Sequence, residues 1–105
     1  MAICKLFRTS EWADFVASGH FAGSADDRRD GFIHLSFAGQ LQRTARKHFA
    51  GERPLVIAWL AVGQDPALRL EPSGAARYPH LYRPLVLTDV IRHEKYTCEE
   101  YACGR

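Results

Sequence analysis

Asp30-Gly31-Phe32-Ile33-His34-Leu35-Ser36 is the stretch on which the reading of this chain turns. Taken at the period of a β-strand, its side chains sort onto two faces. Ile33, Leu35 and Phe37 fall on one, an apolar face suited to a core. Phe32, His34 and Ser36 fall on the other, which sets an imidazole and a hydroxyl beside an aromatic ring. Asp30-Gly31 has turn chemistry and launches the strand. A strand with only a packing role more often carries Val or Thr at the two polar positions. A half-exposed strand whose His34 is merely a satisfied histidine is the plainer alternative, and spacing alone leaves both open.

On the N-terminal side, Ala2 to Phe7 reads as an internal strand, with Ile3, Lys5 and Phe7 alternating against Cys4 and Leu6. Thr9 and Ser10 offer N-caps for a helix from Glu11 to Ser18, with Glu11 in its first turn. Trp12, Phe15 and Val16 have the spacing of a buried stripe, and Gly19 is the natural stop. His20 to Asp30 reads as a solvated loop whose charge cluster, Asp26-Asp27-Arg28-Arg29-Asp30, forms the rim of any pocket beside the strand.

On the C-terminal side, Ala38 to Ala50 reads as a second helix. Leu41, Ala45, His48 and Phe49 mark its inner face, and Gln42, Arg43, Arg46 and Lys47 a wet outer one. Leu55 to Val62 is apolar enough to be a strand buried on both faces. Gly63-Gln64-Asp65-Pro66 is a turn, and Leu68 to Glu71 a short strand with Leu68 and Leu70 inward and Arg69 and Glu71 outward. After a loop from Pro72 to Ala76 comes Tyr78-Pro79-His80-Leu81-Tyr82-Arg83-Pro84-Leu85. Its two prolines argue for an extended or turned loop and against a central strand. An imidazole, two phenols and a guanidinium on a stiff loop are the furnishing of a pocket. Val90 to Tyr96 is a last strand, and Thr97 to Arg105 a tail expected to fray.

A chain of 105 residues, 47% hydrophobic and 25% charged, is expected to form one globular domain over residues 1–105. A formal net charge of +2 gives no reason to expect nucleic acid as a partner. No apolar run is long enough for a membrane helix, and the first residues lack the pattern of a secretory signal. Cys4, Cys98 and Cys103 are an odd set without a CxxC pair, which argues against a disulfide scaffold and for the cytoplasm.

The inventory removes several chemistries. There is no GxxxxGK or GxGxxG loop and no GxSxG elbow. No two histidines stand at i, i+4, so no metal site is expected; one joining His34 and His80 would have to be built by the fold. What remains is a cleft of His34, Ser36, His80, Tyr82 and Glu71, groups that suit a ribose, an amide or a base. Glu71 in that company would stabilise a cation or act as a base, or else simply pair with Arg69 or Arg83.

The two unusual stretches together resemble a family of short bacterial proteins of unknown function. That family's hallmarks are a (D/E)GFIHLS strand and a FPHLYGPL loop, and the likeness runs over nearly the whole chain. Its members are similar in fold to ADP-ribosyltransferases. The resemblance implies a compact α+β domain with a split, mixed or antiparallel sheet, two helices and a central cleft that holds NAD. It implies a ligand-binding set of His34, Ser36, His80, Tyr82 and Arg83. It also implies NAD as substrate or ligand with no covalently bound cofactor, and a small nucleotide as partner with no membrane. His34 would hydrogen-bond the ribose, and Glu71 with His34 would be the catalytic pair. Tyr78 stands where the family has Phe, and Arg83 where it usually has Gly. The transferases' catalytic Glu follows their aromatic motif, whereas Glu71 precedes it, which leaves Glu94 as the other candidate carboxylate. Three readings follow: a transferase or NAD glycohydrolase, a non-catalytic nucleotide or metabolite binding module, and an RNA 2′-phosphotransferase-like enzyme with salt-sensitive RNA binding.

Overall fold

In chain order the elements are β1 (Ile3–Arg8), α1 (Thr9–Ser18), β2 (His20–Phe21), α2 (Ala25–Asp30), β3 (Ile33–His34), β4 (Ser36–Phe37), α3 (Leu41–His48), β5 (Leu55–Leu60), β6 (Leu68–Ser73), β7 (Ala76–Leu81), β8 (Leu85–Val86) and β9 (Val90–Tyr96). Short 3₁₀ turns over Ala38–Gln40 and Leu87–Asp89 lead into α3 and β9. The computed structural model describes residues 2–52 and 54–96. The tail from Thr97, with Cys98 and Cys103, lies outside the described residues.

β1 is apolar on both faces because it is buried on both. It sits inside a four-stranded sheet of order β4-β1-β5-β9. Ile3 and Phe7 face the main core with Phe15, Phe21, Ile33, Leu60 and Leu81. Cys4 and Leu6 face a second core with Leu55, Ile57 and Tyr96, which Leu41 and Ala45 of α3 cover. A three-stranded sheet of order β3-β7-β6 and a β2–β8 ribbon complete the fold. Every pairing among the described residues is antiparallel. The class is α+β as expected, with three α-helices rather than two.

The opening stretch is the seam between the two larger sheets. The chain leaves the three-stranded sheet after His34, passes through Leu35, and joins the four-stranded sheet at Ser36. Alternation survives the switch. Ile33 and Leu35 are buried in the main core, while the His34 side chain stays partly exposed.

Several elements differ from the sequence reading. α1 starts at Thr9 because the Glu11 carboxylate accepts the Arg8 backbone N–H at 2.8 Å, so Thr9 and Ser10 are helical rather than caps. Phe15 is buried, but Val16 is 50% exposed. The segment read as a solvated loop holds β2 and α2. The Ser24 hydroxyl accepts the Asp27 N–H and the Asp27 carboxylate accepts the Ser24 N–H, a reciprocal cap. Gly31, at φ 85°, ends that helix in a conformation that disfavours other residues.

The first half of the two-proline segment is no loop: β7 is the middle strand of its sheet and contains Pro79, while Tyr82 and Arg83 form a bend beyond it, before Pro84. In an antiparallel ladder a residue's N–H and C=O point at the same neighbour. The Pro79 carbonyl accepts from Leu35 N–H at 3.0 Å, so its missing N–H faces the place where β3 ends. A proline is tolerated there. β6 likewise runs on through Pro72 to Ser73, on the sheet's edge. Leu70, expected inward, is 49% exposed.

Candidate functional site

The register of β3 on β7 sets His34 opposite His80, with ring centroids 5.6 Å apart. Period two puts Glu71 and Tyr82 on the same face and sends Ile33 and Leu81 into the core. His80 Nδ1 lies 2.8 Å from Glu71 Oε1, which also accepts the Tyr82 hydroxyl at 2.7 Å. The Tyr82 bond, and after it the His80 bond, holds the Glu71 carboxyl below the usual carboxylate range. The same bond raises the Tyr82 phenol. Phe32 stacks on His80 at 4.0 Å between centroids and stands 5.3 Å from the Tyr82 ring. Its edge of the cleft is an aromatic wall. His80 Nε2 has no hydrogen-bond partner among the described residues.

His34 is anchored from the other side. Its Nδ1 lies 2.7 Å from Asp27 Oδ1 and its Nε2 3.0 Å from Asp30 Oδ2, two carboxylates one turn apart on α2. Asp27 is 2% exposed, and His34 N–H and Ser24 N–H also donate to it. Lys5 completes the set: its Nζ lies 3.2 Å from Asp27 Oδ2 and donates to the His34 carbonyl at 3.0 Å. Burial pushes the Asp27 carboxyl up, but the His34 ring, Lys5 and the two backbone amides outweigh it and hold it well below the ordinary value. Four donors saturate one buried carboxylate.

Three depressions meet around these residues. One, with about 30 Å³ of room for water-sized groups, runs between α2 and α3 and is lined by Lys5, Asp27, His34, Ser36, Thr44 and His48. A second, with about 40 Å³, lies between α3 and β6–β7 and shares His34, Thr44 and His48 with the first while adding Arg43, Lys47 and His80. A third, with about 320 Å³, opens beyond Phe32 toward Tyr82 and Arg83. Burial, with Lys47 alongside, lowers the His48 imidazole below its ordinary value.

The expected site residues are therefore brought together unequally. His34 and His80 wall one cleft, with Glu71 fastened to His80. Ser36 is buried beneath α3, its hydroxyl 2.7 Å from that of Thr44. Tyr82 lies beside Phe32 on the same face, tied to His80 through Glu71, and lines the third depression. Arg83 donates from Nε, Nη1 and Nη2 to Asp65, Asp89 and the Pro84 carbonyl, and clamps the turn after β5 to the start of β9. Glu94 is on β9, at the opposite edge of the four-stranded sheet from β4, held by Trp59 and Arg92. The sequence reading missed Asp27, Lys5 and Thr44. Two signals pointed to the first pair: Ser24 three residues before Asp27 is the pattern of a reciprocal cap, and a lysine in an apolar internal strand demands a buried anion.

No helix among the described residues is long and apolar enough to cross a membrane. The chain is similar to protein CC0527 from Caulobacter crescentus in two solved structures. Against the crystal structure it is 43% identical with a TM-score of 0.84, over 90% of this chain and 85% of that one. Against the solution NMR structure it is 44% identical with a TM-score of 0.78, over 89% and 82%. No curated protein matches the chain. The family model described as a protein of unknown function, DUF952, matches residues 6–93. With most of its length matched, the chain belongs to the DUF952 family.

Proposed function

We propose that the cleft around His34 and His80 binds a nucleotide of the NAD or ADP-ribose type. The observation that carries this is the cross-strand imidazole pair. His80 is oriented by Glu71 and His34 by Asp27 and Asp30, and Phe32 stacks on His80. The open Nε2 of His80 matches a hydroxyl of a ribose, the His34 ring offers its face, and the Phe32 wall matches a nicotinamide or adenine ring. If the bound dinucleotide is turned over, the nicotinamide–ribose bond breaks, nicotinamide leaves as the neutral base, and water or an acceptor nucleophile adds to the ribose carbon. Positive charge then develops on the ribose, and Glu71 is the carboxylate beside the pair that stabilises it. His34, held between Asp27 and Asp30, would position the ribose.

Calorimetric titration with NAD, ADP-ribose and nicotinamide tests the reading, together with an assay for released nicotinamide. Saturable binding of NAD or ADP-ribose, lost in His34→Ala, is the expected result. Binding without nicotinamide release assigns the protein as a sensor or carrier module, and no binding by either dinucleotide removes the proposal.

A further inference from the structure

The depression between α3 and β6–β7 differs from its neighbours in charge. Arg43, Lys47, His48, His34 and His80 all line it, with hydroxyls from Thr44, Ser73 and Tyr78, and no carboxylate is among the lining residues. The neighbour that shares His34 and His48 has Asp26 and Asp27 in its wall. Arg43 and Lys47 stand at i, i+4 on α3, so they project from one face a single turn apart. Elsewhere in the molecule Lys5, Arg8, Arg29, Arg83 and Arg92 each hold a carboxylate, while Arg28, Arg46, Arg69, Arg77 and Lys95, like Arg43 and Lys47, have no ion pair among the described residues. What sets Arg43 and Lys47 apart is that they are unpaired and line a depression without a carboxylate. Arg46, on the same helix, does not line the cavity.

We infer that this wall of α3 is a phosphate site, with Arg43 and Lys47 gripping the phosphoryl oxygens of a ligand whose sugar lies against His34 and His80. A guanidinium presents a planar fork to two oxygens and an ammonium adds a mobile point charge, a combination suited to a phosphate ester. Hydroxyls from Thr44, Ser73 and Tyr78 would supply the remaining donors. Resting on the nucleotide reading, this wall assigns the ligand's class: a phosphorylated ribose, not a free nucleoside or base. The basic run on α3 is then divided by position, with Arg43 and Lys47 as ligand contacts and Arg46 as solvated surface.

The experiment titrates the protein with ADP-ribose, adenosine, ribose 5-phosphate and inorganic phosphate at low and high salt. The same titrations are made on Arg43→Glu, Lys47→Glu and Arg46→Glu, with thermal melts to confirm folding at these exposed positions. ADP-ribose and ribose 5-phosphate should bind with affinity that falls as salt rises. Charge reversal at Arg43 or Lys47 should weaken them roughly tenfold or more, as expected for a lost charge-assisted hydrogen bond. Arg46→Glu should bind like wild type. Adenosine binding as tightly as ADP-ribose, or ADP-ribose affinity indifferent to both reversals, overturns the phosphate site and leaves the nucleotide reading standing. Ribose 5-phosphate or phosphate binding through Arg43 and Lys47, without ADP-ribose binding, supports the phosphate site and removes the nucleotide reading. No binding by any phosphorylated probe overturns both.

Discussion

At one end of the three-stranded sheet Arg83 sits between Asp65 and Asp89; at its seam with the larger sheet His34 sits between Asp27 and Asp30. Both are cation-forming side chains held by two carboxylates, and both belong to stretches marked by unusual polar content. Arg83 spends its fork on those carboxylates and on a backbone carbonyl, so its charge is consumed in joining two turns. Burial works against that pair, but the Arg83 hydrogen bonds dominate and keep the Asp89 carboxyl below its usual range. His34 is held as firmly, yet its ring still walls two cavities, and the charge beneath it is carried by a separate buried pair, Lys5 and Asp27. A charged residue beside a cavity is thus not automatically a ligand contact. What matters is whether an open face is left beside the cavity after the fold has used its nitrogens: both ring nitrogens of His34 are taken, but its ring face is not.

Removing Asp27 should cost the most stability. In Asp27→Ala the Lys5 ammonium, 6% exposed, loses its anion inside the main core. Stranding one member of a buried pair costs on the order of 3–5 kcal/mol. Lys5→Met combined with Asp27→Asn should recover much of that loss, because no uncompensated charge then remains. Arg83→Met should cost less, about 1–2 kcal/mol, since its clamp is partly open to solvent and screened. Urea denaturation of the four proteins orders these effects. A smaller loss in Asp27→Ala than in Arg83→Met would reverse the distinction drawn between a core charge pair and a surface clamp.

Acid sharpens the same contrast. Asp27 and Asp89 have folded-state pKa values below the unfolded carboxylate value of about 4. A depressed carboxylate stabilises the fold above its unfolded pKa, and that stability is lost as pH falls toward the folded pKa. The protein should therefore hold its stability down to about pH 4 and lose it steadily below that. Asp27→Asn should flatten this acid slope more than Asp89→Asn, because Asp27 accepts from His34, Lys5 and two backbone amides together. Denaturation midpoints measured from roughly pH 6 to roughly pH 2 give the slopes. Equal flattening by the two variants would mean that the buried pair is no more strongly coupled than the clamp.

These two centres also differ in how far the sequence announces them. Ile33 and Leu35 against His34 and Ser36 is a two-residue period, and it survived even though the strand breaks at Leu35 and changes sheets. The pairing of His34 with His80 follows from two polar-aromatic stretches finding adjacent strands. Asp27 was hidden because five charged residues in a row, Asp26 to Asp30, look solvated, and nothing local says which one turns inward. Of its partners, His34 is seven residues on but in a separate strand, and Lys5 lies far back in β1. Pro79 misled because a proline's cost depends on which neighbour its nitrogen faces, and that is set by where β3 stops. Leu70 is apolar at the right spacing, but β6 is the edge strand of its sheet, and spacing carries no record of that edge.

The smallest expected effect concerns the two carboxylates that chain order leaves as alternatives. Glu71 and Glu94 both lie on strands, Glu71 half-buried and Glu94 exposed, and both are held below the usual carboxylate range by hydrogen bonds. Their neighbours differ. Glu71 bridges His80 and Tyr82 on the cleft face, so Glu71→Gln removes a charge from beside the imidazole pair while the amide oxygen still accepts one of the two bonds. Glu94 answers Trp59 Nε1 and Arg92 at the far edge of the other sheet. Both variants should melt with the wild type, because neither change leaves a cavity or a buried charge. Only Glu71→Gln should alter the cleft. If the protein cleaves NAD, nicotinamide release should fall while NAD binding stays nearly intact, a loss confined to the transition state. If it only binds, the titration curves of Glu71→Gln should shift modestly and those of Glu94→Gln should overlay the wild type. The reverse pattern, with Glu94→Gln impaired and Glu71→Gln silent, would place the functional carboxylate on β9 and detach the His34–His80 pair from the chemistry.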